Sequence, residues 1–179
     1  MAAACSTRRA PAAPETATPQ ASRILPLARV IVLETAGPQP SDTSVTIVTG
    51  TSTTIVLRHG PPENIEFARL DFPPNAFGDS GQTVTVDVKP RPGIYGLDLG
   101  ISLPLRGRAT LAFSYPRYFS APTRARQLYR SDAAYERALA IGRVLPENQI
   151  ELLSSTRPTP DNLTAQISTP GSYLVAAPQ

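Results

Sequence analysis

The 179-residue sequence holds one cysteine, one histidine, one methionine and no tryptophan. A single cysteine excludes an intramolecular disulfide and leaves the redox compartment unread. Cys5 and His59 are far apart and cannot supply the four ligands of a zinc site, so no metal is expected. Asp71, Asn75 and Asp79 are too widely spaced for a calcium loop of the EF-hand kind, and no cofactor motif is present. No apolar run approaches the ~18 residues of a membrane span. Lysine is almost missing: Lys89 stands alone among 17 basic residues, the rest being arginine. With 14 acidic residues the net charge is +3, too small to make nucleic acid the expected partner. The arginine skew, with abundant alanine and 20 prolines, fits a GC-rich coding bias.

What is present is alternation. Val84, Val86 and Val88 are interleaved with Thr83, Thr85 and Asp87; Leu97, Leu99, Ile101 and Leu103 with Asp98, Gly100 and Ser102; and Ala109, Leu111, Phe113 and Tyr115 with Thr110, Ala112 and Ser114. A period of two puts each apolar set on one face of a strand that must bury it. Residues 72–116 therefore read as the centre of the fold. A domain of about 150 residues buries roughly 70% of its unfolded surface, so a core forms without staples.

Before this centre, residues 24–34 form a β-rich run in which Pro26 suits an edge. Residues 43–49 and 53–58 read as a hairpin across Gly50, with Val45, Ile47, Ile55 and Leu57 inward and Thr46 and Thr54 outward. The apolar phase slips between Ile65/Phe67 and Leu70/Phe72, which predicts a β-bulge near Ala68 and Arg69. After it, residues 117–130 read as a loop, and Ser131 and Asp132 as the cap and first turn of one short helix. Residues 139–144 and 149–153 form a second hairpin; Leu163, Ala165 and Ile167 alternate again, and the segment SYLVAA closes the chain. About eleven short strands and one helix make an all-β antiparallel β-sandwich, ZU5-like or immunoglobulin-like, over residues 23–179.

Residues 1–22 differ in kind. They are a low-complexity Ala/Pro/Thr segment with nothing to bury, expected to be a disordered tether. Cys5, after Ala2, Ala3 and Ala4, resembles the end of a bacterial lipobox, where a cysteine is lipidated and becomes the mature N-terminus. The resemblance implies a signal peptide already removed, a membrane anchor through Cys5, and a place in the cell envelope or outside the cell. The plainer reading is a tail with an incidental cysteine.

The order DFPPNAF, TVTVDV, a long strand, ATLAFSYP, a variable loop, a hairpin and LTAQISTPGSYLVAA resembles the ZU5-like domains of ankyrins, netrin receptors and bacterial surface proteins. The likeness covers residues 65–177. It implies a β-sandwich that binds or scaffolds a protein or glycan partner. Some ZU5-like relatives cleave themselves at a His-Phe-Ser element. Here Ser168, Thr169 and Pro170 occupy that strand, and without an imidazole to activate a hydroxyl, self-cleavage is not expected.

Two motifs suggest a hydrolase as the alternative. TTIVLRHGPPEN resembles the opening of the histidine phosphatases, but that family needs a second histidine. Gly78, Asp79, Ser80 and Gly81 resemble the nucleophile loop of trypsin-like proteases, which requires a histidine oriented by a carboxylate. A strand end before a proline-rich turn explains the first, and a tight turn explains the second.

Between Asp98 and Asp132 no acidic residue occurs, while Arg106, Arg108, Arg117, Arg124, Arg126 and Arg130 do, with Tyr118 and Tyr129 among them. These are the candidate ligand-binding residues. Arginine forks and tyrosine rings suit phosphates, acidic glycans and bases, which makes residues 106–130 the segment for an anion binder. Pairing with Glu136, Glu147 or Glu151 is the solvated-loop alternative. The expected protein is thus a non-catalytic, surface-exposed binding or scaffolding module.

Overall fold

The computed structural model describes residues 22–115 and 117–179. Cys5 and the rest of the expected tether lie outside the described residues, apart from Ser22. The alternating segments become strands β1 (Arg23–Pro26), β2 (Val30–Val32), β3 (Thr43–Val48), β4 (Thr53–Arg58), β5 (Glu66–Phe72), β6 (Thr83–Pro90), β7 (Gly96–Ile101) and β8 (Ala109–Ser114). Helices α1 (Thr123–Leu128) and α2 (Asp132–Ala138) follow, then β9 (Ala140–Leu145), β10 (Gln149–Leu152), β11 (Ser155–Thr156), β12 (Asn162–Ile167) and β13 (Gly171–Pro178).

One sheet runs β1-β10-β9-β13-β7-β6-β3, with β2 also on β13; the other runs β11-β12-β8-β5-β4. Neighbouring strands are antiparallel. This is an antiparallel β-sandwich. Its main core sits between the sheets, where Val84, Val86, Val88, Leu97 and Leu99 meet Ile55, Leu57, Leu70, Leu111 and Phe113. These are the residues on the inward side of each alternating run.

β13 is buried on both faces, so its sequence is nearly continuous in apolar residues rather than alternating. Tyr173, Val175 and Ala177 join the main core, while Leu174 and Ala176 join a second cluster with Val30, Ala140, Ile150 and Leu152. The N-terminal segment covers that cluster. It leaves β1 on β10, turns through a 3-10 helix at Leu27–Arg29 and returns as β2 on β13, packing Leu25, Leu27 and Val32 over it. What reads as one run over residues 24–34 is therefore two strands and a turn, with Pro26 at the end of an edge strand.

Three further expectations are corrected. β3 and β4 do not form a hairpin: β3 pairs with β6 and β4 with β5, so the turn at Gly50 carries the chain from one sheet to the other. The inward residues are as expected, because Ile47 and Ile55 face the same core from opposite sides. The bulge falls one residue early: Leu57 pairs with Ala68 and Arg58 with Glu66, leaving Phe67 as the extra residue, and both Phe67 and Ala68 are buried. Residues 117–130 are not all loop, since α1 lies within them. The capped helix is α2, where the Ser131 hydroxyl accepts from the Ala134 N–H at 3.1 Å and Asp132 occupies the first turn.

Candidate functional site

The arginines of residues 106–130 do not form one surface. Arg106 and Arg108 precede β8, and Arg117 and Tyr118 follow it; a strand of six residues spans roughly 20 Å. Most of these side chains have structural partners. Arg117 pairs with Glu63 at 3.0 Å, and Arg126 lies 3.7 Å from Asp132. Arg124 donates to the Gln179 side-chain carbonyl at 2.7 Å. Tyr129 donates to the Pro178 carbonyl and packs edge-on against Tyr135. Tyr118 packs on His59 with ring centroids 4.8 Å apart, over Gly37, where an added Cβ would fall 2.7 Å from the Tyr118 ring and 2.8 Å from the His59 ring. Both tyrosines are half-buried parts of the core. Arg106 lies over Gly78, and Arg130 is exposed near α2.

Arg108 is placed differently. It is exposed and lines two hollows on the outer side of the second sheet. One, of about 530 Å³, lies along β12 and β10–β11 and is bordered by Glu151, Ser154, Thr156, Thr164, Gln166 and Ser168. The other, of about 470 Å³, is bordered by Thr53, Thr54, Asp71 and Thr110, and shares Arg108 and Gln166 with the first. The register explains the grouping, for Thr54, Asp71, Thr110 and Gln166 stand in one row across β4, β5, β8 and β12. Period two sends every member of that row outward. The row is bonded within itself: Thr54 donates to Asp71 at 2.6 Å, and Gln166 donates to Thr110 at 2.8 Å.

A smaller hollow of about 130 Å³ shares Glu151, Gln166 and Ser168 with the first and reaches Arg143. Arg143 donates to Thr169 at 2.6 Å and to Glu151 at 3.0 Å, while its buried Nε has no partner among the described residues. The surface around Arg108 is thus rich in hydroxyls, with the Gln166 amide among them and Asp71 and Glu151 on either side. It can hold a polar, hydroxylated or anionic group by hydrogen bonds.

The two hydrolase candidates lie apart. Ser80 packs against Gly50, where a Cβ would come within 2.5 Å of the Ser80 Cβ, at the start of β4. His59 follows the end of that six-residue strand, roughly 20 Å away along it. Gly78 and Gly81 have φ of 85° and 80°, the left-handed conformation that makes the Gly-Asp-Ser-Gly stretch a turn. His59 is 1% exposed. Its Nδ1 lies 2.9 Å from the Pro38 carbonyl, which can only accept, so Nδ1 carries the proton. Its ring stands edge-on to Phe67, Tyr95 and Tyr118, and Nε2 is buried without a partner among the described residues.

One functional arginine escaped the sequence reading. Arg157 donates to the carbonyls of Glu136 and Leu139 and to the Tyr115 hydroxyl, which closes the C-terminus of α2 onto the end of β8. Its function is structural. Among the described residues no group of three or more His, Cys, Asp or Glu side chains is placed to hold a metal ion, and no helix is long and apolar enough to cross a membrane. No protein-family model, curated protein or solved structure matches the chain.

Proposed function

We propose that this protein is a non-catalytic binding module that uses the surface around Arg108 to hold a polar or acidic ligand, a glycan or a protein segment. The observation that carries this reading is the position of Arg108, which borders two hollows at once, each lined by hydroxyls and by Gln166. The burial of His59 and its separation from Ser80 support binding over the hydrolase alternative. The dispersal of the other arginines narrows the anion-binding reading from a whole segment to this surface.

On the same reading the β-sandwich is ZU5-like and is held at a bacterial envelope by a lipid on Cys5, with residues 1–22 as the tether. The test is titration of the full chain with acidic and neutral oligosaccharides and with acidic peptides, followed by backbone amide shifts. Binding that perturbs Thr54, Thr110 and Gln166 and is lost in Arg108→Ala supports the proposal. An Arg108→Ala variant that binds as well as the parent refutes it. Mass spectrometry and detergent partitioning of protein from the native host test the anchor, and a free Cys5 in a soluble fraction removes it.

A further inference from the structure

Among the described residues four strands end the two sheets, β1 and β3 in one and β11 and β4 in the other, and the three-residue β2 is also paired on one side only, to β13. An open edge offers a row of unpaired backbone N–H and C=O groups to any other strand, and natural edges are blunted by shortness, charge, proline or a bulge. Three of these four are blunted. β1 is four residues long and carries Arg23 and Pro26. β11 has two residues and runs into Arg157 and Pro158. β4 ends on the charged Arg58, where its pairing with β5 is broken by the bulge at Phe67.

β3 has none of these devices. It is six residues, TSVTIV, without charge, proline or bulge, in unbroken register with β6. Val48 at its end is 54% exposed, among the most exposed large apolar side chains described. Ser44 and Thr46 are exposed beside it.

We infer that β3 pairs with β3 of a second copy of this chain, antiparallel about a two-fold axis, joining the two larger sheets into one. A strand that meets itself must oppose no like charges, and an uncharged strand is the kind that satisfies this. The pleat sets the register, because directly opposed residues must point to the same face. Centring the axis on Thr46 opposes Ser44 to Val48 and Val45 to Ile47, all within β3 and all uncharged. Centring it on Val45 would set Asp42 against Val48. In the Thr46 register the outward row across the axis reads Thr85, Thr46, Thr46 of the partner subunit and Thr85 of the partner subunit, since Thr46 stands opposite Thr85 on β6. Threonines opposed in this way exchange hydrogen bonds. The interface is narrow, so the dimer is a weak one.

The test uses the full chain. Sedimentation velocity over a rising concentration series should show a monomer–dimer equilibrium, and hydrogen exchange should show β3 amides gaining protection as concentration rises. Thr46→Lys places two ammonium groups together on the axis and should weaken dimerisation by about tenfold or more without moving the thermal midpoint of the monomer. Val56→Lys, on exposed β4, should leave dimerisation unchanged. A chain that stays monomeric throughout, or a dimer indifferent to Thr46→Lys, overturns the inference. So does β3 protection that is independent of concentration, which would assign the edge to residues 1–21 of the same chain.

Discussion

His59 is the residue on which a structural and a chemical reading of this protein part most sharply, and three substitutions separate them. The ring contributes a hydrogen bond from Nδ1 to Pro38 at 2.9 Å and edge contacts to three aromatic rings at 4.8–6.2 Å between centroids. Losing the bond costs about 1 kcal/mol, and Pro38 keeps only a long contact from the Gly60 N–H at 3.4 Å. Losing the ring contacts and leaving a cavity adds about 2 kcal/mol. His59→Ala should therefore destabilise by about 3 kcal/mol, which at a urea m-value of about 2 kcal/mol/M moves the midpoint down by about 1.5 M. Asparagine places an amide N–H where Nδ1 stands and should recover about 1 kcal/mol of that loss. Glutamine reaches instead to the position of Nε2, which bonds to nothing described, and should recover none. The assay is urea unfolding followed by far-ultraviolet circular dichroism. A His59→Ala protein within about 0.5 kcal/mol of the parent, or a His59→Gln protein more stable than His59→Asn, would refute the assignment.

Burial pushes the Tyr95 phenol from 10.0 up to about 12 and also raises Tyr115, Tyr135 and Tyr173. The folded state holds these protons more tightly than the unfolded chain, so the stability they contribute is intact below pH 10 and is lost as pH rises through about 12; urea midpoints measured across that window should fall. Tyr95→Phe should change stability at neutral pH by less than about 0.5 kcal/mol, since its hydroxyl, with Thr35 as its polar neighbour, completes no hydrogen bond of normal geometry among the described residues, and should flatten the alkaline loss. Arg157→Met leaves the Glu136 and Leu139 carbonyls and the Tyr115 hydroxyl without their donor and should cost about 3 kcal/mol in urea unfolding. Ser131→Ala removes the cap of α2 and should cost about 1 kcal/mol by the same measurement.

The alternating runs were legible because side-chain direction is local: Val84, Val86 and Val88 point inward whatever strand lies beside them. Pairing is not local. A turn at Gly50 between two β-branched strands reads the same whether the chain doubles back in one sheet or crosses to the other. Only the partners of β3 and β4 decide it. α1 is not legible because TRARQL buries only Ala125 and carries no apolar stripe, and Pro122 at its N-cap supplies no side-chain cap. The arginine segment misled for a related reason. Closeness along the chain is not closeness in space, for β8 runs through the middle and parts Arg108 from Arg117. Arg157 was invisible in a Ser/Thr/Pro loop because the carbonyls it caps are set by folding. The sequence places His59 at a strand end, but its burial depends on Gly37 and Tyr118, which approach from elsewhere in the chain.

The scarcity of lysine acquires a second meaning from these contacts. Coding bias is enough to explain many arginines, but not what they do. Arg69 meets Glu66 through two nitrogens at 3.2 and 2.7 Å. Arg91 reaches Asp98 through two nitrogens at 3.0 and 2.8 Å and Ser172 at 2.9 Å. Partial burial works to raise the Asp98 carboxyl, yet the bonds from Arg91 and Ser172 outweigh it and hold the group below its ordinary range. Arg143 spans Thr169 and Glu151, and Arg157 spans three acceptors. Arg69 and Glu66 lie three residues apart on β5, but the ties from Arg91, Arg143 and Arg157 join separate segments through a planar fork, and an ammonium on a flexible stem does not reproduce that geometry. Where the fork is spent in this way, the arginine belongs to the fold. Arg108 is exposed between two hydroxyl-lined hollows, and that difference in use, rather than the number of arginines nearby, is why the proposed ligand binding should depend on it.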